Sequence, residues 1–228
     1  MALKSTKEVR MYLRIRNLCG LLGILLPWIA LFSAGIKLDK HAEWWWSISA
    51  TYYQCDALVG VLVPAAIVLI SYIGYERIDN VVTLLTGLFG MGIVLFPCKV
   101  SWIPDGTPVG FFQPPIEFSN SIHMVCAALF FLLSALNCLF LFTRHGSEMT
   151  PQKKVRNTIY RICGWGMLGL EASFVLIRLL GAPGWVVMVV EIILLHLFGF
   201  SWLVKGEFFP FLNDKVETAG PSLRILVD

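Results

Sequence analysis

Ser47, Ser49, Tyr52, Tyr53 and Asp56 crowd into one stretch, Trp44-Trp45-Trp46-Ser47-Ile48-Ser49-Ala50-Thr51-Tyr52-Tyr53-Gln54-Cys55-Asp56. A serine, a carboxylate and a histidine are the materials of nucleophilic catalysis, in which imidazole takes the hydroxyl proton. His123 supplies the third member, so Ser49, Asp56 and His123 are the catalytic candidates. With Glu191 and His196 the same groups could ligate a metal. Spacing does not favour that chemistry: Ser49 and Asp56 are seven residues apart, and neither H-x-x-x-H nor H-E-x-x-H occurs. Asp56 also suits the cap of a helix starting at Ala57, where a carboxylate meets free N–H groups. No metal and no cofactor are expected.

A second polar group comprises Glu171, Arg178, Glu191 and His196, all within apolar runs. A charge inside a bilayer costs at least about 2.5 kcal/mol, so each needs a partner or a use. Counted from the turn at 181–184, Glu171 and His196 lie at similar depth, and Arg178 can reach toward Glu191. Two readings stand: a pair of interhelical clamps, Glu171 with His196 and Arg178 with Glu191, or a polar pocket that also draws on Tyr52, Tyr53, Asp56 and His123.

The elements that must position these residues are membrane spans. Of 228 residues, 57% are hydrophobic and 14% charged, against roughly 25% charged in soluble domains. Six apolar runs of 17 to 21 residues occur, at 18–36, 57–75, 81–97, 124–143, 160–180 and 185–204. Each matches the ~20 helical residues that cross a hydrocarbon layer. The first could be read as a signal peptide ending at Ser33-Ala34-Gly35, but it is long for one. Fourteen of the 18 Lys and Arg fall in 1–17, 76–80, 144–161 and 205–228, and three (Lys37, Lys40, Lys99) on the other side. That asymmetry predicts an all-α polytopic membrane protein with six spans and both termini cytoplasmic, in the plasma membrane (the inner membrane, if bacterial).

The chain then divides into a basic segment 1–17, a six-helix domain 18–204 capped outside by loops 37–56 and 98–122, and a cytoplasmic tail 205–228. Glu76–Asn80 and Gly181–Gly184 are expected to be tight turns. Glycines at 87, 90 and 92 and at 164, 166 and 169 predict close helix packing. Ser134 and Asn137, three apart, predict interhelical hydrogen bonds. Of six cysteines, Cys55 and Cys98 lie at the outer ends of adjacent spans and could form a disulfide in an oxidising compartment. Nothing suggests nucleic-acid binding; membrane lipids are the expected partners.

Ser47-Ile-Ser49-Ala-x-Tyr52-Tyr53, Asp56, Ser71-Tyr72-x-Gly74-Tyr75, Phe96-Pro97, His123 and Arg156-Asn157-x-Ile-Tyr160-Arg161-Ile-Cys163-Gly164 together give a recognisable order of marks. The order resembles small six-helix bacterial membrane proteins of the domain-of-unknown-function 998 type, distantly DRAM/Frag-like. The resemblance spans most of 10–205 and implies fold and topology rather than activity. A weaker similarity, to alkaline-ceramidase-like membrane hydrolases, offers Ser49, Asp56, His123 and His196 as counterparts. Here six spans stand where those have seven, and their paired histidines four apart are missing. The leading expectation is a non-catalytic membrane protein holding a lipid or small amphiphile. A membrane-embedded hydrolase is the alternative, and a channel or transporter the third.

Overall fold

The structure, a computed structural model, describes residues 6–74, 76–144 and 149–214. It contains six α-helices: α1 (Thr6–Gly35), α2 (Ala57–Ser71), α3 (Arg77–Leu95), α4 (Ile116–Leu136), α5 (Pro151–Leu179) and α6 (Gly184–Lys205). Each packs on its neighbour in sequence, and α6 closes back onto α1, so the six form a ring. Four are long and apolar enough to cross a membrane: α1 from Val9, α3, α4 with the π turn that extends it to Leu141, and α6. Apolar α2 has 15 residues, or about 22 Å of helix. Long α5 carries Lys153, Lys154, Arg156, Arg161 and Glu171 along its length.

Helix boundaries differ from the hydropathy runs because caps, not apolarity, set them. Glu76 and Asp79 form a capping box, which starts α3 at Arg77 and makes 77–80 its first turn rather than a loop. Thr150 accepts from the Lys153 amide at 3.0 Å, and Pro151 opens α5, where its missing N–H costs nothing. The helix therefore starts nine residues before the apolar run. Pro115 plays a similar part for α4, which begins at Ile116 instead of Met124. Seven residues, about 10 Å of helix, separate Ile116 from His123. His123 is thus not at the rim, and only 4% of its surface is exposed.

The α1–α6 seam rests on glycines. A Cβ on Gly199 would lie 2.6 Å from the Gly20 carbonyl oxygen and 2.8 Å from the Ile24 amide. Those are backbone atoms of α1, which cannot move aside alone. Gly87 meets Ala66 of α2 in the same way, and Gly164 meets α4, whereas Gly169 faces open space. Inside the ring, Tyr72, Phe130, Phe142, Tyr160, Phe198 and Trp202 form a chain of tilted and edge-to-face rings. Ser134 donates to Phe130 O at 2.7 Å within its own helix, so the predicted interhelical role of that serine does not hold.

At one end of the ring four cations are buried, Arg16, Lys153, Arg156 and Lys205. Arg16 donates to Lys205 O at 3.2 Å and Tyr72 Oη at 3.1 Å, and Lys153 donates to Phe142 O at 3.4 Å. Arg156 donates to Leu212 O and to Asp214, both at 2.7 Å. Helix C-termini leave carbonyls without partners, and a cation there is favoured by the helix dipole. From Thr6 on, the basic segment is therefore the first turns of α1, and the tail as far as Asp214 is docked through buried Leu212. Residues 215–228 lie outside the described part.

The loops at the other end, 36–56 and 96–115, pack together as a cap. His41 stacks on Trp102 with centroids 4.4 Å apart, Ser101 hydrogen-bonds Glu43, and Tyr53 Oη donates to Cys98 O at 2.8 Å. Lys99 pairs with Asp105 at 2.6 Å, which holds that carboxyl below its ordinary range. Cys55 and Cys98 are not joined by a disulfide. Cys55 Sγ is turned to Ala30 O of α1 at 3.9 Å, while Cys98 is buried against Ala50 and Val100. Their side chains serve different layers, and the disulfide is absent.

Gly199→Ala is expected to lower stability by about 1–3 kcal/mol through overpacking of the seam. Gly169→Ala, on the open face, should be neutral or slightly stabilising. Thermal unfolding of both variants in one detergent checks the pair, and equal effects would contradict the seam's role.

Candidate functional site

Gly184, at the first residue of α6, is what brings the serine stretch to the acid. A Cβ there would lie 2.6 Å from the Trp46 ring, so Trp46 rests directly on the start of α6. Glu191 lies seven residues on, two turns down and on the same face. The backbone after Trp46 thus passes over the Glu191 carboxyl. Ile48 N donates to Oε2 at 2.5 Å, Ser47 Oγ reaches both oxygens at 2.9 Å, and Ser49 Oγ reaches Oε1 at 3.1 Å. Ser47 Oγ also accepts the Ser49 amide at 3.1 Å, which leaves its own hydrogen for the carboxyl. Every partner of Glu191 is a donor, the arrangement that suits a carboxylate.

His123 approaches the same serine from α4. Its Nδ1 faces two acceptors, Phe96 O at 2.9 Å and Ile93 O at 3.2 Å. These carbonyls belong to the last turn of α3 and would otherwise lack partners. Two acceptors at Nδ1 place the hydrogen there, so Nε2 presents a lone pair to Ser49 Oγ, 3.3 Å away. Ser49 has one hydrogen, for which Glu191 and His123 compete. Ser49 bridges the two ionisable groups.

Two cavities meet at this bridge. One, of about 220 Å³, lies among the helices, with mainly apolar walls from Leu26, Leu58, Phe130, Phe131 and Leu195 and a second acid, Glu171. The other, of about 160 Å³, lies beneath the cap between Glu43, Ser47, Lys99, Trp102 and Asn120. Ser49, His123, Met124, Phe174 and Glu191 line both and form the partition. Ala128 of α4 and Val175 of α5 line the helix cavity and are themselves exposed. The inner cavity therefore opens sideways between α4 and α5.

Comparison with family models, with curated proteins and with solved structures finds no match. The site is read from its own geometry.

Of the catalytic candidates, Ser49 and His123 are brought together and Asp56 is not. Asp56 is exposed at the N-cap of α2 and makes no side-chain cap bond. The acid beside Ser49 is Glu191, which sits on the hydroxyl and not on His123 Nδ1. Tyr52 and Tyr53 hold the cap and line neither cavity. His196 accepts from Trp28 Nε1 of α1 at 3.0 Å and pairs through Nδ1 with Ile192 O at 2.7 Å. It faces α1, so the Glu171–His196 clamp is not made. The side chain of Arg178, the expected partner of Glu191, lies outside the described residues. Among the described residues no group of three His, Cys, Asp or Glu is placed to hold a metal ion. The bridge itself was missed because its closing contact depends on Trp46 lying on Gly184, a fit no local spacing encodes.

Glu191→Ala leaves the Ser47, Ile48 and Ser49 donors without their acceptor, at about 1–3 kcal/mol for each that water cannot reach. Hydrogen exchange of the Ile48 amide should accelerate while amides in the middle of α3 and α4 stay protected. Asp56→Ala should change neither.

Proposed function

We propose that this chain is a plasma-membrane protein with six spans and cytoplasmic termini that holds a single lipid or small amphiphile, without catalysing its conversion. The observation that carries this reading is the joined pair of cavities. A polar chamber under the cap meets an apolar one among the helices, across the Ser47–Ser49–Glu191–His123 partition. An amphiphile has that same polarity: its head sits among hydroxyl and carboxyl groups, while its tail lies against leucine and phenylalanine and leaves between α4 and α5. Burying apolar tail surface contributes roughly 25 cal/mol per Å², and the partition supplies orientation. The distribution of Lys and Arg favours the cap facing outward. The resemblance to the domain-of-unknown-function 998 type fits this six-helix topology.

The Ser49–His123 contact favours one alternative, a membrane-embedded hydrolase acting on lipid esters or amides. Two features oppose it. Glu191 Oε1 lies 3.1 Å from the would-be nucleophile, so an oxyanion forming there would meet a carboxylate. The Ile48 and Ser49 amides, which might stabilise that oxyanion, already bond to Glu191 and Ser47.

Ala127 lines the helix cavity, and Ala127→Trp should fill it. Native mass spectrometry of protein extracted in mild detergent should show a retained amphiphile on the parent chain and its loss from Ala127→Trp, with helix content unchanged. A fluorophosphonate probe should leave Ser49 unlabelled; labelling that disappears in Ser49→Ala would replace the binding reading with the hydrolase.

A further inference from the structure

The inner cavity has a charge character that restricts its occupant. Its wall holds two carboxyl groups, Glu171 and Glu191, and no Lys or Arg among the described residues. The two acids differ in their surroundings. Glu191 has its oxygens occupied by the Ser47, Ile48 and Ser49 donors. Glu171 lies one helical turn before Val175, which is exposed at the side opening. Among the described residues it takes no hydrogen bond and no ion pair. A carboxyl on that apolar wall is costly unless something that enters the cavity compensates it.

From this we infer that the cavity admits a single-chain amphiphile carrying a protonated amine, with Glu171 as counter-ion. The inference rests on the binding reading above and names the class of ligand. An ammonium brings up to three N–H donors, enough to bond Glu171 with donors to spare. Phe130, Phe131 and Phe174 line the same space, and aromatic faces attract a cation as well as packing against its chain. A phosphate or carboxylate head would face two acids with no cation on the described wall. At about 220 Å³ the space is below the roughly 300–1,000 Å³ of pockets for drug-sized ligands, which suits one chain and not two.

The test uses the full chain in nanodiscs of zwitterionic lipid, titrated with octylamine, octanol or octanoate and read by thermal unfolding and native mass spectrometry. Octylamine should bind and raise the unfolding temperature, with octanol and octanoate at least about tenfold weaker. Glu171→Gln should bring octylamine down to the level of octanol while its own unfolding temperature without ligand stays at the parent value. Partition of amine into the bilayer is the same for both proteins and cancels. If octanol or octanoate binds as well as octylamine, or Glu171→Gln keeps the amine preference, the amine assignment is overturned and the pocket stands. Should no ligand of the three bind the parent chain, while Ala127→Trp behaves identically, the pocket reading itself fails.

Discussion

The wall at the capped end depends on one set of hydrogen bonds, donated to Glu191 by the Ser47–Ser49 segment. A carboxyl in a low-dielectric interior needs donors, and an irregular loop there has amides and hydroxyls that need acceptors. Each meets the other's requirement at 2.5–3.1 Å. Neither would be tolerable alone. The consequence is geometric: a segment with no long regular structure of its own becomes a fixed wall between two cavities. Ser49, pinned by Glu191, then has its oxygen held where His123 Nε2 can meet it.

The opposite end solves the same problem with inverted charge. There Arg16, Lys153 and Arg156 donate to carbonyls at or beyond helix ends, and Arg16 lies over the Tyr72 ring. Both ends therefore use ionisable side chains to satisfy backbone, and the two cavities described here lie at the acid end. Cations on long stems fill the room they occupy, since aliphatic carbons pack as apolar groups. Glu191 is short and draws the loop to itself, leaving volume below. The chemistry of the two ends follows from side-chain length as much as from sign.

The sequence made the helical class, the apolar runs and the glycine seams legible because these depend on local composition and on period. Gly87 and Gly164 do sit against neighbouring helices, as their spacing implied. Boundaries were less legible. Hydropathy reports where lipid-compatible residues begin, whereas Glu76–Asp79, Thr150 and Pro115 begin helices several residues earlier. The site was half legible: Ser49, His123 and Glu191 stood out as polar groups in or beside apolar runs. Their partners could not be assigned, since which residues share a face is local but which helices are adjacent is not. Asp56 was attractive for its nearness in sequence, and His196 for its depth. Rotation about the helix axis overrides depth, and it turns His196 to Trp28 of α1.

That distinction also separates a clamp from a pocket. A structural clamp is complete when its donors and acceptors match, and close packing around it lowers the energy further. Glu191 by itself would meet that description. Glu171 does not, because it borders a cavity of about 220 Å³ that opens between α4 and α5. A cavity lined by leucine and phenylalanine gives up contacts between its own walls, and a carboxyl on that wall adds a desolvation cost. A clamp gains nothing from either feature. Both costs are recovered together only when something with an apolar chain and a compensating polar head enters, which makes the cavity and Glu171 parts of one binding device rather than two separate imperfections.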